Sequence, residues 1–587
     1  MALFGIASHR TAGNYMRFLH FSFVCLAFVG SAAVLMSGQN NVVTWRNDTL
    51  RDGLNSSETV LNQSNVAPAQ FGKICSTVVD GQLFAQPLVI ASGGKNIVYL
   101  ATMNDSVYAV DGTNCNVITQ VSLLQTGEEA VPCGDVGAGR CQTVSPIIGI
   151  LGTPVIDTTT NTMYVTSETE STLGTCPATH TSDCFFHRIH ALDLSTLTEK
   201  FNGPVKIYGS YQKAGFTPKD HIQRAGLLLL PHTRKNGDST VYIGFSEMDG
   251  SGTVGVNIPR GWVFGFDAGN LSSVPYIWSS TPAGEGGGLW MTGAGLAAGP
   301  DSSGGNTYLY INTGDGDFTA NNGGLDYGDS FVKLATNLTT VPNGYFTPFS
   351  QACLNVGDED FGSGGVMLFP NLGSSFFAAS AGKDGNIYVM NRANPGGYTP
   401  PTNNTCPATG TNANQEYFRG VTGHGYFSTP VYWNSHLFYA PQSAPVVRYM
   451  ISLVSPPSCT PSPICQTNTA STSNSFQYGP GLSISSSGNT SGTAILWAAN
   501  GNGWPGNKLA SAVLYAYDAE HTASPHTVPE LWDSGKCPTR DKIGNSTKFV
   551  TPTVANGFVY LGTMDPTDAS HTRGELEMFG LTNAACD

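Results

Sequence analysis

The sequence predicts an all-β fold, an eight-bladed β-propeller with four antiparallel strands in each blade. Three observations support this prediction. A short apolar strand entered by a small residue or Pro recurs eight times along the chain. Each copy is followed by a strand in which aromatic and β-branched residues alternate, and a third strand then often ends in Asp. Alternation with a period of two is typical of half-buried strands, and its repetition at a regular spacing is typical of a propeller.

The first strand of the repeat sets the number of blades. Its eight copies are Gln86–Val89, Thr153–Ile156, Gly226–Leu229, Gly295–Ala298, Gly365–Leu368, Thr429–Tyr432, Gly481–Ile484 and Thr551–Val554. The second residues of the first and last copies, Pro87 and Pro552, are 552 − 87 = 465 positions apart. Seven intervals of about 66 residues therefore separate eight blades.

The remaining strands of the repeat predict how the ring closes. Val98–Leu100 exemplifies the second strand and Val107–Asp111 the third. The segment Phe71–Asp80 also has the pattern of a strand but precedes the first repeat, whereas the last repeat ends near Leu581 without an outer strand. We expect the N-terminal strand to supply it, because closure removes an exposed edge. Residues 39–587 are thus predicted to form a single propeller.

Composition excludes several other classes of protein. The chain has 587 residues, of which 40% are hydrophobic and only 12% charged, with 70 Gly and 34 Pro. This excludes a coiled coil, a helical solenoid and a charge-rich disordered chain. The net charge is −14 and no run of Lys or Arg occurs, which argues against a nucleic-acid partner.

Residues 1–38 are predicted to be a signal peptide. Arg10 and Arg17 precede an apolar stretch, Phe18–Met36, in which Ser31 begins a Ser-Ala-Ala sequence near the end. This is the order of charged, apolar and small residues in secretory signals. An uncleaved N-terminal anchor is the alternative. We expect the mature protein to be secreted or periplasmic, with no membrane span after cleavage.

Cysteine usage also favours an oxidising compartment. Thirteen Cys occur, and omitting Cys25 in the apolar stretch leaves twelve. Three pairs are close in sequence and are predicted to be disulfides, namely Cys133–Cys141, Cys176–Cys184 and Cys459–Cys465. The other six, which the sequence leaves free to pair in any of fifteen ways, are Cys75, Cys115, Cys353, Cys406, Cys537 and Cys586. No CxxC or CxxCH sequence occurs, which argues against zinc and covalent haem.

The repeats resemble a known family of propellers. A strand of the type Thr-Pro-Val-Ile followed by Val-Tyr-Ala-x-Asp is similar to the repeat of the pyrroloquinoline quinone (PQQ) dehydrogenases and of their non-enzymatic relatives. The resemblance covers about residues 70–585 and implies a propeller of the quinoprotein type. The repeat is typical of the fold rather than of one function, because scaffold proteins share it.

Segments between the repeats match those that hold the cofactor in the dehydrogenases. The family's Trp that stacks on the quinone is matched by Trp290. Where the family has Thr-Gly-Asn with a calcium-binding Asn, this chain has Thr-Gly-Asp ending at Asp315, and carboxylate oxygen also suits calcium. A second calcium-binding residue of the family, a Glu, is matched best by Glu247. The resemblance therefore implies PQQ and calcium as cofactors.

The same resemblance implies catalytic residues. Asp360 matches the family's Asp that takes the proton of the substrate hydroxyl, and Lys383 matches the Lys or Arg that hydrogen-bonds the quinone oxygens and stabilises their charge. His424, just before the sixth repeat, is a further candidate for a polar contact with the cofactor. No cytochrome segment is recognised, so an enzyme of this kind would need a separate electron acceptor.

Three classes of function follow from these residues. The first is a PQQ- and calcium-dependent dehydrogenase that oxidises an alcohol or sugar. The second is a non-catalytic secreted propeller that binds protein or glycan, in which Trp290 fills the channel, the acidic residues satisfy turns, Lys383 is a hairpin residue and His424 is structural. The third is a propeller lyase or hydrolase, for which the sequence offers few clustered His or Arg residues. The family's adjacent Cys-Cys disulfide is missing, and its nearest counterpart is Cys133 with Cys141.

Overall fold

Eight antiparallel sheets follow one another along the chain, and each is one blade of a β-propeller. The structure is a computed structural model. It describes residues 40–136, 144–233, 237–247, 260–370, 376–403, 405–412, 416–419, 425–451, 464–501, 510–523 and 526–586, with the side chains of 416–419 and 464–469 left out. Gln39–Asp587 forms one compact unit. The predicted signal peptide, residues 1–38, lies outside the described residues.

The first four blades each contain four principal strands, ordered from the axis outward. They are Leu88–Ser92, Lys95–Ala101, Ser106–Asp111 and Val117–Ser122 in blade one; Val155–Asp157, Thr162–Ser171, Phe185–Asp193 and Val205–Lys206 in blade two; Leu228–Leu230, Thr240–Glu247, Trp262–Asp267 and Tyr276–Ser279 in blade three; and Ala297–Pro300, Thr307–Asn312, Phe331–Ala335 and Thr340–Thr347 in blade four. Additional short strands extend these sheets at Glu128–Pro132, Ile147–Ile148, His221–Ile222 and Gly397–Tyr398, and Ser210–Tyr211 pairs with Ala214–Gly215.

Blades five to eight repeat the arrangement. Their strands are Val366–Leu368, Phe377–Ala381, Asn386–Asn391 and Glu416–Arg419 in blade five; Val431–Trp433, His436–Tyr439, Ala444–Ile451 and Ile464–Phe476 in blade six; Gly481–Ser485, Ile495–Ala499, Leu514–Asp518 and Glu530–Asp533 in blade seven; and Thr553–Ala555, Phe558–Met564, Gly574–Leu581 and Phe71–Val79 in blade eight. The helices of the described residues are short: α-helices at Cys176–Thr179 and Gln351–Gly357, and 3-10 turns at Ser182–Cys184, Pro218–Asp220, Met291–Gly293, Ala320–Asn322 and Phe361–Gly364. Within the described part of the chain, no helix combines the length and apolar character that crossing a membrane requires.

The N-terminal strand closes the ring, as the sequence predicts. Phe71–Val79 pairs antiparallel with Gly574–Leu581, from Phe71 opposite Leu581 to Val79 opposite Gly574. The ring of Phe71 also packs edge-on against that of Trp532 at 4.9 Å in the neighbouring blade. The eight-bladed fold and its closure are therefore confirmed.

Apolar side chains hold each blade against the next. The alternating strands bury one face on each side, so every adjacent pair of blades shares a cluster of buried apolar residues. Tyr242 and Leu309 belong to the cluster between blades three and four, and Tyr310 and Tyr388 to the one between blades four and five. The loops between these blades are consequently held in fixed relative positions.

A segment that the sequence analysis did not assign fills the propeller axis. Residues 42–55, which we call the axial segment, form main-chain hydrogen bonds with the innermost strands of six blades. Val42 and Val89 exchange two of these bonds, and carbonyls of the segment accept the N–H groups of Ile156, Ala298, Leu368, Tyr432 and Ile484. Side chains reach the other two, because Arg51 donates to the carbonyl of Leu227 at 3.2 Å and Asn55 to that of Val554 at 2.8 Å. The channel is therefore plugged rather than open.

Two fully buried guanidinium groups anchor the axial segment. Arg46 donates to the carbonyls of Pro430 and Leu482 at 2.7 and 2.9 Å, and Arg51 donates to the carbonyl of Leu296 at 2.9 Å. Burial lowers the pKa of Arg46 to about 9 and that of Arg51 to about 10. The two guanidinium groups of this one short segment thus donate hydrogen bonds to main-chain carbonyls at the innermost strands of several blades.

Disulfides connect loops around the rim. Cys176–Cys184 forms as predicted. Cys133 is also disulfide-bonded, whereas Cys141 and Cys459 lie outside the described residues, as does the side chain of Cys465. The six cysteines whose pairing the sequence left open form Cys75–Cys115, Cys353–Cys406 and Cys537–Cys586.

Candidate active site

A cavity of about 240 Å³ opens where the loops of one face converge over the axis. Its walls come from two kinds of connection, those between the second and third strands of a blade and those leading into the next blade. Beneath it, a smaller cavity separates Phe427 and Phe549 from Trp45 and Arg46 of the axial segment. The axial segment therefore forms the floor of this side of the propeller, and the large cavity is a dead-end pocket.

Five of the six residues predicted for the site line this cavity. They are Glu247, Trp290, Asp315, Asp360 and Lys383, and they come from blades three to five and the connections between them. The sixth, His424, lies outside the described residues. Residues as much as 383 − 247 = 136 positions apart are thus brought to one pocket.

Carboxylates cluster at the end of the cavity formed by blades four and five. Asp315, Asp358 and Asp360 each place an oxygen within 4.8 Å of the others. Asp360 Oδ1 accepts the main-chain N–H of Asp315 at 2.9 Å. The ammonium of Lys383 lies 2.7 Å from Asp360 Oδ2 and 2.6 Å from Asp358 Oδ1. The sequence analysis did not assign a role to Asp358, whose side chain is largely exposed.

Lys383 is strongly held in its charged form. Burial lowers its pKa, but the carboxylates of Asp360 and Asp358 outweigh burial, so the net shift of the Lys383 pKa is upward. Its main-chain N–H also donates to the carbonyl of Asp360 at 3.1 Å. Lys383 therefore fixes the position of Asp360 and keeps a cation beside its carboxylate.

A second carboxyl lies behind Asp315. Burial, and then the charge of Asp360, raise the pKa of Asp315 to about 8. Asp329 is fully buried, and burial and the Asp315 charge raise its pKa as well. Asp329 accepts the N–H of Phe361 at 3.1 Å, and its carboxyl is hydrogen-bonded to that of Asp315. The two carboxyls thus share a proton when no cation compensates them.

Glycines make room for the acidic side chains. A Cβ at Gly288 would lie 1.8 Å from Glu247 Oε2, and one at Gly314 would lie 2.4 Å from Asp360 Oδ1. The two glycines are themselves joined by a hydrogen bond of 2.9 Å from the Gly314 N–H to the Gly288 carbonyl. Any larger residue at either position would displace a carboxylate. Glu247 lines the cavity but lies outside the group of three carboxylates.

Trp290 forms part of an apolar wall. It packs against a cluster that includes Val144, Ile148 and Ile222, and all three also line the cavity. The two residues after it, Met291 and Thr292, have φ of 43° and 50°. Left-handed backbone is costly for such side chains and is concentrated at functional sites. The same conformation recurs around the cavity at Asp329, Asp358 and Phe549.

The connections that enter blades six and eight contribute residues to the wall that were not predicted from the sequence. Phe427 and Phe549 are stacked at 6.3 Å with their planes 16° apart. The ammonium of Lys548 lies 4.9 Å from the ring centre of Phe549 and 5.0 Å from that of Tyr478. Their position in the sequence could have indicated them. Like Trp290 and Asp360, both Phe427 and Lys548 lie two to five residues before the start of a repeat.

These residues fit a hard cation beside a flat organic group. Calcium and similar cations require oxygen ligands. The clustered carboxylates supply such ligands, and their negative charges outnumber the one positive charge beside them, that of Lys383. Asp315 Oδ1 is buried and has no hydrogen-bond partner among the described residues. Trp290, Phe427 and Phe549 add aromatic surface to the walls of the same cavity.

Comparison with solved structures identifies the same architecture in two dehydrogenases. The quinohemoprotein alcohol dehydrogenase from Comamonas testosteroni matches with a TM-score of 0.55 and 14% identity over 92% of this chain and 80% of that chain. A europium-containing methanol dehydrogenase matches with a TM-score of 0.55 and 14% identity over 92% of this chain and 98% of that chain. No protein-family model matches the sequence, and a search of curated proteins returns no match. The similarity confirms the eight-bladed quinoprotein-type fold.

Proposed function

We propose that this chain is an exported dehydrogenase that uses PQQ and a hard cation to oxidise an alcohol or sugar. One observation carries the proposal: Glu247, Trp290, Asp315, Asp360 and Lys383, matched one by one to cofactor-binding and catalytic positions, line the same cavity. The matches were made from separate loops. Loops of one face converge in any propeller, but the side chains brought together here are a flat aromatic ring, three carboxylates and an ammonium, which are the groups that a quinone, a cation and a general base require.

The surroundings of each residue support a specific role in the proposed reaction. Trp290 would stack on the quinone, while Asp315 and Glu247 would bind the cation, which is calcium or a trivalent lanthanide given the number of carboxylates. PQQ supplies the two-electron acceptor when it is bound. A bound cation would lower the pKa of Asp315 and of Asp329, because its charge would replace that of the proton which these carboxyls otherwise share.

Asp360 would act as the general base. Its Oδ2 faces Lys383 and its Oδ1 is held by the N–H of Asp315. Two fixed donors orient the carboxylate, which prepares it to take the proton of a substrate hydroxyl. Lys383 would then stay beside the negative charge that gathers on the reduced quinone. At the exposed rim of the cavity, Asp358 forms a second ion pair with Lys383.

Export is part of the proposal. The structure pairs eight cysteines in four described disulfides, which favours an oxidising compartment. The order of charged, apolar and small residues before position 38 supports removal of a signal peptide. Electrons would leave through a separate acceptor protein.

The test is a dye-reduction assay on the purified protein supplied with PQQ and either Ca²⁺ or La³⁺. Alcohols and sugars are screened as substrates. We expect activity that Asp360→Asn lowers by at least about 100-fold and Asp315→Ala abolishes, because Ala removes the oxygen ligand that either Asp or Asn would supply. Asp317→Asn is the matched control, since Asp317 lies in the same loop but is exposed and outside the cavity lining. Activity that survives Asp360→Asn unchanged would contradict the assigned base.

A further inference from the structure

The cavity has a cationic end that the proposed chemistry does not use. Lys548 lines the cavity at blade eight, between the rings of Tyr478 and Phe549. Within the described part of the chain, no carboxylate lies within ion-pair distance of its ammonium. The charged groups that act on it are Arg224 and Lys383, and both are cations. Lys548 is thus a partly buried cation for which the described residues supply no compensating anion.

One end of the cavity is therefore acidic and the other end is cationic. Asp315, Asp358 and Asp360 lie at the opposite end, and Lys383 is already paired with two of them. Burial, and then Arg224 and Lys383, lower the pKa of Lys548 to about 8. An anionic group in the cavity would relieve this cost, and a charge-assisted hydrogen bond to the ammonium would be strong there.

Lys548 is held between aromatic rings in the cavity wall, unlike a lysine on the open surface. Phe549, the next residue, has φ of 63°, a costly conformation for an aromatic side chain. That conformation lets Phe549 stack on Phe427 while Lys548 faces the cavity.

We propose that Lys548 binds a carboxylate on the planar ligand of this cavity, and that it thereby orients the ligand with its anionic edge toward blade eight. The ligand's other edge then faces Asp360 and the cation-binding carboxylates. This inference rests on the proposed function, because it takes the ligand to be a flat quinone stacked near Trp290. The carboxylate could instead belong to the substrate, and the experiment separates the two sources.

The experiment compares binding of PQQ with binding of its trimethyl ester, which keeps the flat quinone but carries no carboxylate. Calorimetry with Ca²⁺ present measures both affinities for the wild type, Lys548→Met and Lys548→Arg. Lys542→Met is the matched control, because Lys542 is an exposed lysine of the same connection. Thermal unfolding of each variant shows whether it is folded.

We expect the wild type to bind the acid at least about tenfold more tightly than the ester. Lys548→Met should remove that preference by weakening only the acid, Lys548→Arg should keep most of it, and Lys542→Met should change neither affinity. An equal loss for acid and ester in Lys548→Met would show that Lys548 merely packs against the rings and would overturn the proposal.

Two further outcomes are decisive. If PQQ binding is unaffected, the KM of hydroxy acids relative to neutral alcohols is compared in Lys548→Met. A selective rise assigns the carboxylate to the substrate, and no change overturns the proposal. If the wild type binds neither PQQ nor the ester, the proposed function fails. Naphthalene-2-carboxylate against its amide then tests Lys548 alone, and equal binding overturns the anion site.

Discussion

Asp360 Oδ1 accepts the main-chain N–H of Asp315 at 2.9 Å, and this hydrogen bond helps to join the loop of blade four to the connection that enters blade five. It places the proposed base next to the proposed metal ligand although 45 positions separate them. The approach is close because Gly314 has no side chain. The first prediction concerns that glycine.

Gly314→Ala is expected to abolish binding of the cation and the quinone while leaving the propeller folded. A Cβ at this position would lie 2.4 Å from Asp360 Oδ1, so Asp360 would have to leave its place beside Asp315. Calorimetry measures the loss of binding, and circular dichroism checks the fold. Gly215→Ala is the control, since nothing lies within 4 Å of a Cβ there. Unchanged cation affinity in Gly314→Ala would contradict the geometry of the site.

Cation binding is expected to strengthen as the pH rises from about 6 to 9. The pKa of Asp315 is raised to about 8, so below that pH a proton must leave before the cation can bind. Calorimetry in two buffers of different ionisation enthalpy measures the protons released, which should fall toward zero near pH 9. In Asp315→Asn the remaining affinity should depend less on pH. Wild-type affinity independent of pH over this range would refute the shared proton.

The axial segment is expected to contribute strongly to the stability of the ring. Arg51→Met should lower the free energy of unfolding by about 3–5 kcal/mol, because buried carbonyls of several blades lose their donor. Urea denaturation measures the change. Lys536→Met, which removes an exposed ammonium from its ion pair with Glu530, should cost less than about 1 kcal/mol. Similar small effects for both variants would show that the segment merely occupies the channel.

The disulfide between Cys353 and Cys406 is expected to support the acidic end of the cavity. Cys353 lies in the helix Gln351–Gly357, and Asp358 follows that helix directly. Replacing both cysteines with Ser should lower stability by about 2–4 kcal/mol and weaken cation binding. The double Ser variant of Cys75 and Cys115, at the junction of blades eight and one, should lose stability but keep cation affinity. Equal effects on the cation would contradict the link.

Repetition made the fold predictable, and the residues that do not repeat were the ones missed. The strand starting near Thr551 resembles seven others, so the number of blades and the need for Phe71–Val79 followed from pattern alone. The axial segment was not predicted, because Arg46 and Arg51 pair with main-chain carbonyls, which leave no trace in the sequence.

In the candidate site too, residues within a recognisable motif were predicted from the sequence, and a residue outside any motif was not. Asp315 and Asp360 were found because their neighbours match known motifs. Lys548 has no motif, and a lysine in a polar stretch has no signal beyond its position before a repeat. The proton shared by Asp315 and Asp329 depends on burial, which spacing along the chain does not determine.

The measurement that tests the account most directly is a titration of PQQ into the purified protein, followed by tryptophan fluorescence, with Ca²⁺, with La³⁺ and with chelator. We expect one PQQ bound per chain, quenching that requires a cation, and loss of that quenching in Trp290→Leu and in Asp315→Ala. Absence of binding at high micromolar PQQ with either cation would contradict the account and favour a non-catalytic propeller that binds protein or glycan, with Trp290 serving only as packing.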